Sequence, residues 1–129
     1  MVDTKKVILL IEDNPLLTGM YSAAFKKKGI EVLVAHNGVD GLRIIEEHKP
    51  HLVLLDLFMP GMNGFDILEK IKSNPETKDI KVVMLTVSPK KEDETKARAL
   101  GAIDYLLKQE LHLNEIVDRA LSHFENNGA

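Results

Sequence analysis

The chain has 129 residues, of which 44 % are hydrophobic and 29 % are charged, a balance typical of one soluble globular domain. Its formal net charge of −3 gives no bulk attraction to nucleic acids or anionic membranes, and the absence of cysteine excludes disulfides, thiol nucleophiles and cysteine-ligated zinc. No apolar run approaches the ~20 residues of a membrane span, and the run behind MVDTKK is too short for a signal peptide, so we expect a cytoplasmic protein.

The predicted elements begin with an apolar strand at residues 7–11. Apolar residues then recur at helical spacing, and this first helix has Pro15 near its start and Gly29 as its C-terminal cap. A second strand is predicted at residues 32–35. The helix that follows it ends before Pro50, because proline cannot continue a helix.

The second half of the chain repeats this alternation. A third strand is predicted at residues 52–55, a short helix at 65–72 and a fourth strand at 82–85. A highly charged helix follows at about residues 90–100, and its few apolar residues predict weak packing. The fifth strand is predicted at residues 103–107.

The closing helix has the clearest apolar face of the chain, formed by Leu113, Ile116, Val117, Ala120, Leu121 and Phe124. Near-continuous apolar strands that alternate with helices predict a parallel sheet covered by helices on both faces. Five such units predict an open doubly wound sheet, since a closed eight-stranded barrel needs about twice the chain. The five histidines lack metal-ligand spacing and are interpreted as surface or loop residues.

Polar side chains end four of the predicted strands, at the edge where open parallel sheets bind ligands. They are Glu12 and Asp13, then Asp56, Thr86 and Lys108. Three neighbouring carboxylates repel one another, so either one is protonated or a hard cation such as magnesium, calcium or manganese lies among them. Lys108 and Thr86 are donors suited to a phosphoryl group, and Asp56 is the candidate nucleophile toward phosphorus.

With these strand-end residues, the sequence resembles the receiver (response-regulator) domain of two-component signalling, of the chemotaxis-regulator type. The resemblance covers essentially the whole chain and is carried by the segments VILLIEDN, VLLDLFMPGMNGFDIL, VVMLT and GAIDYLLK. It implies a single receiver domain at residues 1–129 with a core at about 5–125. It also implies an α/β flavodoxin-like fold, a doubly wound sheet of five parallel strands in the order 2-1-3-4-5 with five helices.

The resemblance also implies roles for the acidic residues. Asp56 corresponds to the phosphoacceptor. Glu12, Asp13 and Asp56, with the backbone carbonyl of Phe58, correspond to the ligands of Mg²⁺, with Mn²⁺ as the alternative.

Further roles fall on the last two strands. Thr86 corresponds to the hydroxyl that meets the phosphoryl group, together with the backbone N–H of Val87. Lys108 corresponds to the lysine that pairs with a phosphoryl oxygen, and Tyr105 occupies the aromatic switch position.

The partners follow from the same resemblance. A histidine kinase or histidine phosphotransfer protein would supply the phosphoryl group. The chain would then be a signalling domain that assists its own phosphorylation and dephosphorylation, and it would not be an enzyme. The output would be a change of the face formed by the fourth helix, fifth strand and fifth helix, which meets a downstream protein or a C-terminal effector domain. Candidate contacts on this face are Lys91, Lys96, Tyr105 and Gln109. No direct contact with nucleic acid or membrane is expected.

The chain departs from the family pattern at three positions. Gln109 stands where the family usually has proline, so the loop after the fifth strand has no X-Pro bond. Val87 is β-branched where a small residue is usual, and Phe58 is bulky. We hypothesise that Val87 and Phe58 narrow the approach to Asp56 and slow phosphoryl exchange or hydrolysis.

Three other functions compete with this interpretation. A haloacid-dehalogenase-like phosphatase needs a second acid where Phe58 stands, and a flavodoxin-like cofactor binder needs a Gly-, Ser- or Thr-rich loop where the chain has EDNP. The alternative that stays open is a pseudo-receiver, which binds proteins without phosphorylation. The complete set of five polar strand-end residues argues against it.

Overall fold

The computed structural model describes residues 5–125, in which five strands and five helices alternate. The strands are β1 Val7–Ile11, β2 Glu31–Ala35, β3 Leu52–Leu55, β4 Lys81–Thr86 and β5 Asp104–Leu107. The helices are α1 Pro15–Lys26, α2 Gly38–His48, α3 Gly64–Ser73, α4 Lys91–Ala99 and α5 Leu113–Glu125. Every predicted strand is present, with bounds that differ by at most one residue. The ends of the predicted domain, residues 1–4 and 126–129, lie outside the described residues.

The strands form one parallel sheet in the order β2-β1-β3-β4-β5, which confirms the predicted fold class. The register aligns the carboxyl ends of neighbouring strands: Ile11 is level with Ala35 and Leu55, and Thr86 is level with Leu107. The polar residues that follow the strands therefore emerge at one edge of the sheet.

Helices cover both faces of the sheet, because alternate strand residues point to opposite sides. Leu9 and Ile11 of β1 pack in the core shared with α2, α3 and α4. Ile8 and Leu10 pack in the core shared with α1 and α5. The central strands β1 and β3 are consequently apolar along their whole length, as the continuous apolar runs predicted.

The helix ends are set by local sequence. Asn14, Asn37 and Asn63 cap the N-termini of α1, α2 and α3 through their side chains. After α1, Gly29 adopts a φ of +79°, its N–H donates to Lys26, and the next N–H donates to Phe25. These two bonds are the glycine-terminated end that the sequence predicted.

The α4 helix is held less firmly than the others. Ala97 is its buried residue, and Lys90 at its N-cap forms no side-chain capping bond within the described part of the chain. This agrees with the weak packing predicted for residues 90–100. Across residues 5–125, we find no helix with the length and apolar character needed to span a bilayer.

Two polar residues differ from the sequence-based expectation. Asp104 lies inside the predicted apolar strand, yet it is buried and accepts hydrogen bonds from Arg119 and His123. His123 was interpreted as a surface residue, but it is half-buried on α5. The reason is the buried carboxylate beneath it, which requires hydrogen-bonding partners from the covering helix.

Candidate functional site

The candidate site lies at the carboxyl edge of the sheet, where extra backbone hydrogen bonds continue the strand ladders. The N–H of Glu12 donates to Ala35 at 3.0 Å, and the N–H of Asp56 donates to Ile11 at 3.1 Å. At the β4–β5 end of the strand order, the N–H of Lys108 donates to the carbonyl of Thr86 at 2.9 Å. Each polar residue is therefore fixed by the strand beside it.

Three carboxylates converge at this edge. One oxygen from each of Glu12, Asp13 and Asp56 lies within 4.8 Å of the other two. Glu12 and Asp56 are buried, whereas Asp13 is exposed and forms the solvent side of the cluster. Oxygen donors of this kind, in a group open on one side, fit a hard divalent cation that keeps part of its water shell.

Lys108 provides a positive charge to this cluster. Its ammonium pairs with Glu12 and lies 3.4 Å from Oδ2 of Asp56. The lysine side chain is itself largely buried, so both ion pairs are shielded from water. The arrangement has three carboxylates against one ammonium, and this excess negative charge favours binding of a further cation.

The pKa directions follow from this geometry. Burial raises the pKa of Asp56 above its usual range, against the charge of Lys108 and the hydrogen bond from the Phe58 N–H. Burial likewise raises the pKa of Glu12, and the nearby charge of Asp56 adds to it, against the hydrogen bond from Lys108. Burial lowers the pKa of Lys108, but its bond to Glu12 and the charge of Asp56 outweigh this and the pKa is raised.

The loops after β3 and β4 border the acidic cluster. Thr86 is fully buried, and its hydroxyl oxygen accepts the N–H of Ser88 at 3.4 Å. The N–H of Phe58 donates to Oδ1 of Asp56 at 3.3 Å. The side chains of Phe58 and Val87 are 53 % and 51 % exposed, so both stand at the rim of the site. The roles predicted for the Phe58 carbonyl and the Val87 N–H stay predictions.

The residues predicted for the switch and the partner face are distributed around α4. Tyr105 is buried, and its hydroxyl donates to the backbone carbonyl of Ser88 at 2.9 Å. The amide of Gln109 donates to the carbonyl of Val87 at 3.1 Å. Lys91 is exposed at the start of α4. The ammonium of Lys96 lies 4.4 Å from the ring centroid of Phe65, which places it on the side of α4 that faces α3.

Two residues with central contacts were missed by sequence reasoning. Ser88 is buried, and its hydroxyl donates to Asp93 of α4. The signal for it was weak, since a serine before proline in a loop is ordinary. Asp104 had a clearer signal, because an acid inside the apolar run of GAIDYLLK requires partners just as Asp56 does.

Comparisons with known proteins show the family of the chain. A family model described as the response regulator receiver domain matches residues 8–121. Protein PilH of Pseudomonas aeruginosa is 37 % identical over 101 residues, which cover 78 % of this chain and 84 % of PilH. Three further curated relatives are longer, and the match spans 26 % to 45 % of their length.

Solved structures match along nearly the whole chain. The Mn²⁺-bound response regulator Rcp1 is 28 % identical with a TM-score of 0.79, and the match covers 96 % of each chain. The phosphorylated cyanobacterial phytochrome response regulator RcpA is 26 % identical with a TM-score of 0.83, over 98 % of this chain and 97 % of that one.

Proposed function

The chain belongs to the response regulator receiver family, and we propose that its Asp56 accepts a phosphoryl group from a phosphorylated histidine of a kinase or phosphotransfer protein. Phosphorylation-dependent signalling is the general function of this family. The observation that carries the proposal is the shared ion pair of Lys108 with Asp56 and Glu12, next to the exposed carboxylate of Asp13. It combines a nucleophile, a cation and metal-type ligands in one place.

In the proposed transfer, a carboxylate oxygen of Asp56 forms a bond to phosphorus while the phosphorus–nitrogen bond of the donor histidine breaks and the imidazole leaves. The ammonium of Lys108 would then donate to a phosphoryl oxygen, since it already lies 3.4 Å from Asp56. Water later attacks the acyl phosphate, which releases inorganic phosphate and restores the carboxylate. The domain thereby returns to its starting state.

The chain's acidic residues fit a divalent ion by charge and by donor type. Glu12, Asp13 and Asp56 would hold Mg²⁺ or Mn²⁺, with the Phe58 carbonyl as a predicted fourth ligand. When bound, such an ion neutralises negative charge on the phosphoryl oxygens. Among the relatives, Rcp1 was solved in a Mn²⁺-bound form and RcpA in a phosphorylated form, which supports the same chemistry here.

The proposed output is a change in the β4–α4 loop and the face formed by α4, β5 and α5. The hydroxyl of Thr86 would turn toward the phosphoryl group. The ring of Tyr105 is already buried and bonded to Ser88, so the loop can respond without any prior inward rotation of this ring. A downstream protein or effector domain would then recognise the altered face.

Intact-mass measurement with acetyl phosphate tests the proposal. Wild-type protein with Mg²⁺ should gain the mass of one phosphoryl group, and a chelator should abolish the gain. The Asp56→Ala variant should gain nothing, whereas Asp118→Ala, which removes an exposed acid of α5, should behave as wild type. An equal gain in Asp56→Ala would show that the acceptor is wrong, and no gain in wild type would favour the pseudo-receiver.

A turnover assay separates the proposal from a phosphatase. A receiver domain should give no sustained release of product from a generic phosphate ester, because each molecule is modified once and must hydrolyse its own acyl phosphate. Continuous turnover that depends on Asp56 would contradict the signalling role.

A further inference from the structure

Ser88 lies where the loop after β4 meets the start of α4, and it is 4 % exposed. Its N–H donates to the hydroxyl oxygen of Thr86 at 3.4 Å, and its carbonyl accepts the hydroxyl of Tyr105 at 2.9 Å. Its own hydroxyl donates to a carboxylate oxygen of Asp93, in the first turn of α4. Ser88 therefore contacts Thr86, Tyr105 and the first turn of α4.

The hydrogen bond from the Ser88 hydroxyl to Asp93 matters for the position of α4, because few other side-chain contacts hold this helix. Ala97 is the residue of α4 that is buried in the core, and the N-cap residue Lys90 provides no side-chain cap in the described structure. Instead, the Ser88 oxygen accepts the N–H of Lys90 at 3.4 Å while it donates to Asp93. Ser88 thus ties the backbone of the N-cap residue to the side chain of Asp93, although among the described residues it accepts no N–H of the first helical turn.

We propose that Ser88 is a positioning residue that couples Thr86 to α4 through its hydroxyl and to Tyr105 through its backbone. The two links are chemically separate. Substitution of the side chain removes the contact with Asp93, whereas the carbonyl that accepts the Tyr105 hydroxyl is present in any residue. The coupling rests on the proposed function, because a phosphoryl group at Asp56 is what would move Thr86.

The contact itself is tested first, without phosphorylation, by hydrogen exchange of the α4 amides. Ser88→Ala and Asp93→Ala should each speed this exchange by about fivefold, the factor expected for one net hydrogen bond. The double variant should be no faster than either single variant, because both remove the same contact. Glu92→Ala is the matched control, since it removes an exposed acid from the same turn. Acceleration by Glu92→Ala as large as by Asp93→Ala would overturn the proposed contact.

The coupling is tested next, by comparing each protein with and without acetyl phosphate and Mg²⁺. In wild type, phosphorylation should change both the exchange of α4 and the ring signal of fluorinated Tyr105. In Ser88→Ala, the α4 response should be lost while the Tyr105 response persists. Ser88→Thr, which restores a hydroxyl, should recover the α4 response. An undiminished α4 response in Ser88→Ala would overturn the coupling.

The mass measurement keeps the two proposals distinguishable. If wild type gains no phosphoryl group, the proposed function fails and the coupling to phosphorylation falls with it. If wild type and Ser88→Ala are phosphorylated equally but their α4 responses are the same, the proposed function stands and only the role of Ser88 is wrong.

Discussion

The ammonium nitrogen of Lys108 lies 3.4 Å from Oδ2 of Asp56 and also pairs with Glu12, so one cation is shared by two buried carboxylates. Asp13 adds a third carboxylate on the exposed side of the cluster. Without a bound cation the cluster carries more negative charge than Lys108 balances. The folded state therefore bears a repulsion that the unfolded chain does not.

Replacing Asp56 with asparagine should stabilise the metal-free protein. Asparagine keeps an acceptor for Lys108 but removes one of the mutually repelling charges. We expect the free energy of unfolding at pH 7, measured by urea titration with chelator, to rise by about 1–2 kcal/mol, because the lost attraction to Lys108 offsets part of the removed repulsion. Added Mg²⁺ should reduce the difference, since the ion offsets the same repulsion in wild type.

The stabilisation by Asp56→Asn should depend on pH, because the repulsion requires an ionised Asp56. Folding raises the pKa of Asp56, so the ionised carboxylate lowers the free energy of unfolding when the pH is above the folded-state pKa. This penalty disappears as the pH falls below the pKa of the unfolded chain. The gain from Asp56→Asn should therefore fade in acid. Asp118→Asn should change stability by no more than about 0.5 kcal/mol at any pH. A loss of stability in Asp56→Asn at pH 7 would contradict the repulsion argument.

Asp104 should show the opposite behaviour. Burial raises its pKa, but hydrogen bonds from His123, from the Tyr105 N–H and from Arg119 outweigh burial and hold the pKa below its usual range. Its contribution to stability is therefore present above the unfolded pKa and is lost as pH falls through the depressed folded pKa. Asp104→Asn should lower the free energy of unfolding by about 1–3 kcal/mol at pH 7 and have little effect in strong acid.

Gly64 provides a steric test of the loop that carries Asp56. A Cβ at Gly64 would lie 2.6 Å from the backbone oxygen of Asp56 and 2.8 Å from Cα of Leu57. Gly64→Ala must therefore displace the backbone at the site, and we expect a loss of about 1–3 kcal/mol together with slower phosphoryl uptake.

The matched control is Gly19→Ala, in the interior of α1. A Cβ there meets nothing within 4 Å among the described atoms, and alanine is the better helix former. This variant should gain about 1 kcal/mol and be phosphorylated at the wild-type rate. Equal effects of the two substitutions would contradict the close approach at Gly64.

Val87 stands at the rim of the site, where it lines a groove with Leu17, Tyr21 and Lys108. If it restricts water at the acyl phosphate, Val87→Ala should shorten the lifetime of phosphorylated protein several-fold, as measured by mass after removal of the phosphodonor. Leu16→Ala is a control, since it truncates an exposed apolar residue of α1. Equal dephosphorylation of wild type and Val87→Ala would remove the support for a narrowed approach.

The sheet was predictable because a strand buried on both faces needs only apolar residues in a row, as Leu52–Leu55 shows. The position of the acids was predictable for a related reason. A parallel register brings strand ends together, so Glu12 and Asp56 had to emerge side by side once β1 and β3 were neighbours.

Side-chain partners were not predictable in the same way. The contact of Ser88 with Asp93 depends on the path of a loop. The pairing of Asp104 with Arg119 and His123 depends on which face of α5 covers β5. Neither follows from a periodic pattern. The strand order came from the family resemblance, because spacing alone leaves several orders of five parallel strands open. The roles of Tyr105, of the Val87 N–H and of the Phe58 carbonyl came from it as well.

The contact between Lys108 and Glu12 joins residues 96 positions apart in the chain, and Lys108 follows β5, which lies at the outer edge of the sheet. In the proposed function Glu12 meets the ion and Lys108 meets the phosphoryl group, so the complete phosphorylated site would form only when the first and last strands are both in place. By mass action, its occupancy then lowers the population of every open form, including those that a protease would cut. Under the proposed function, a change that completes the site would therefore also make the chain harder to degrade.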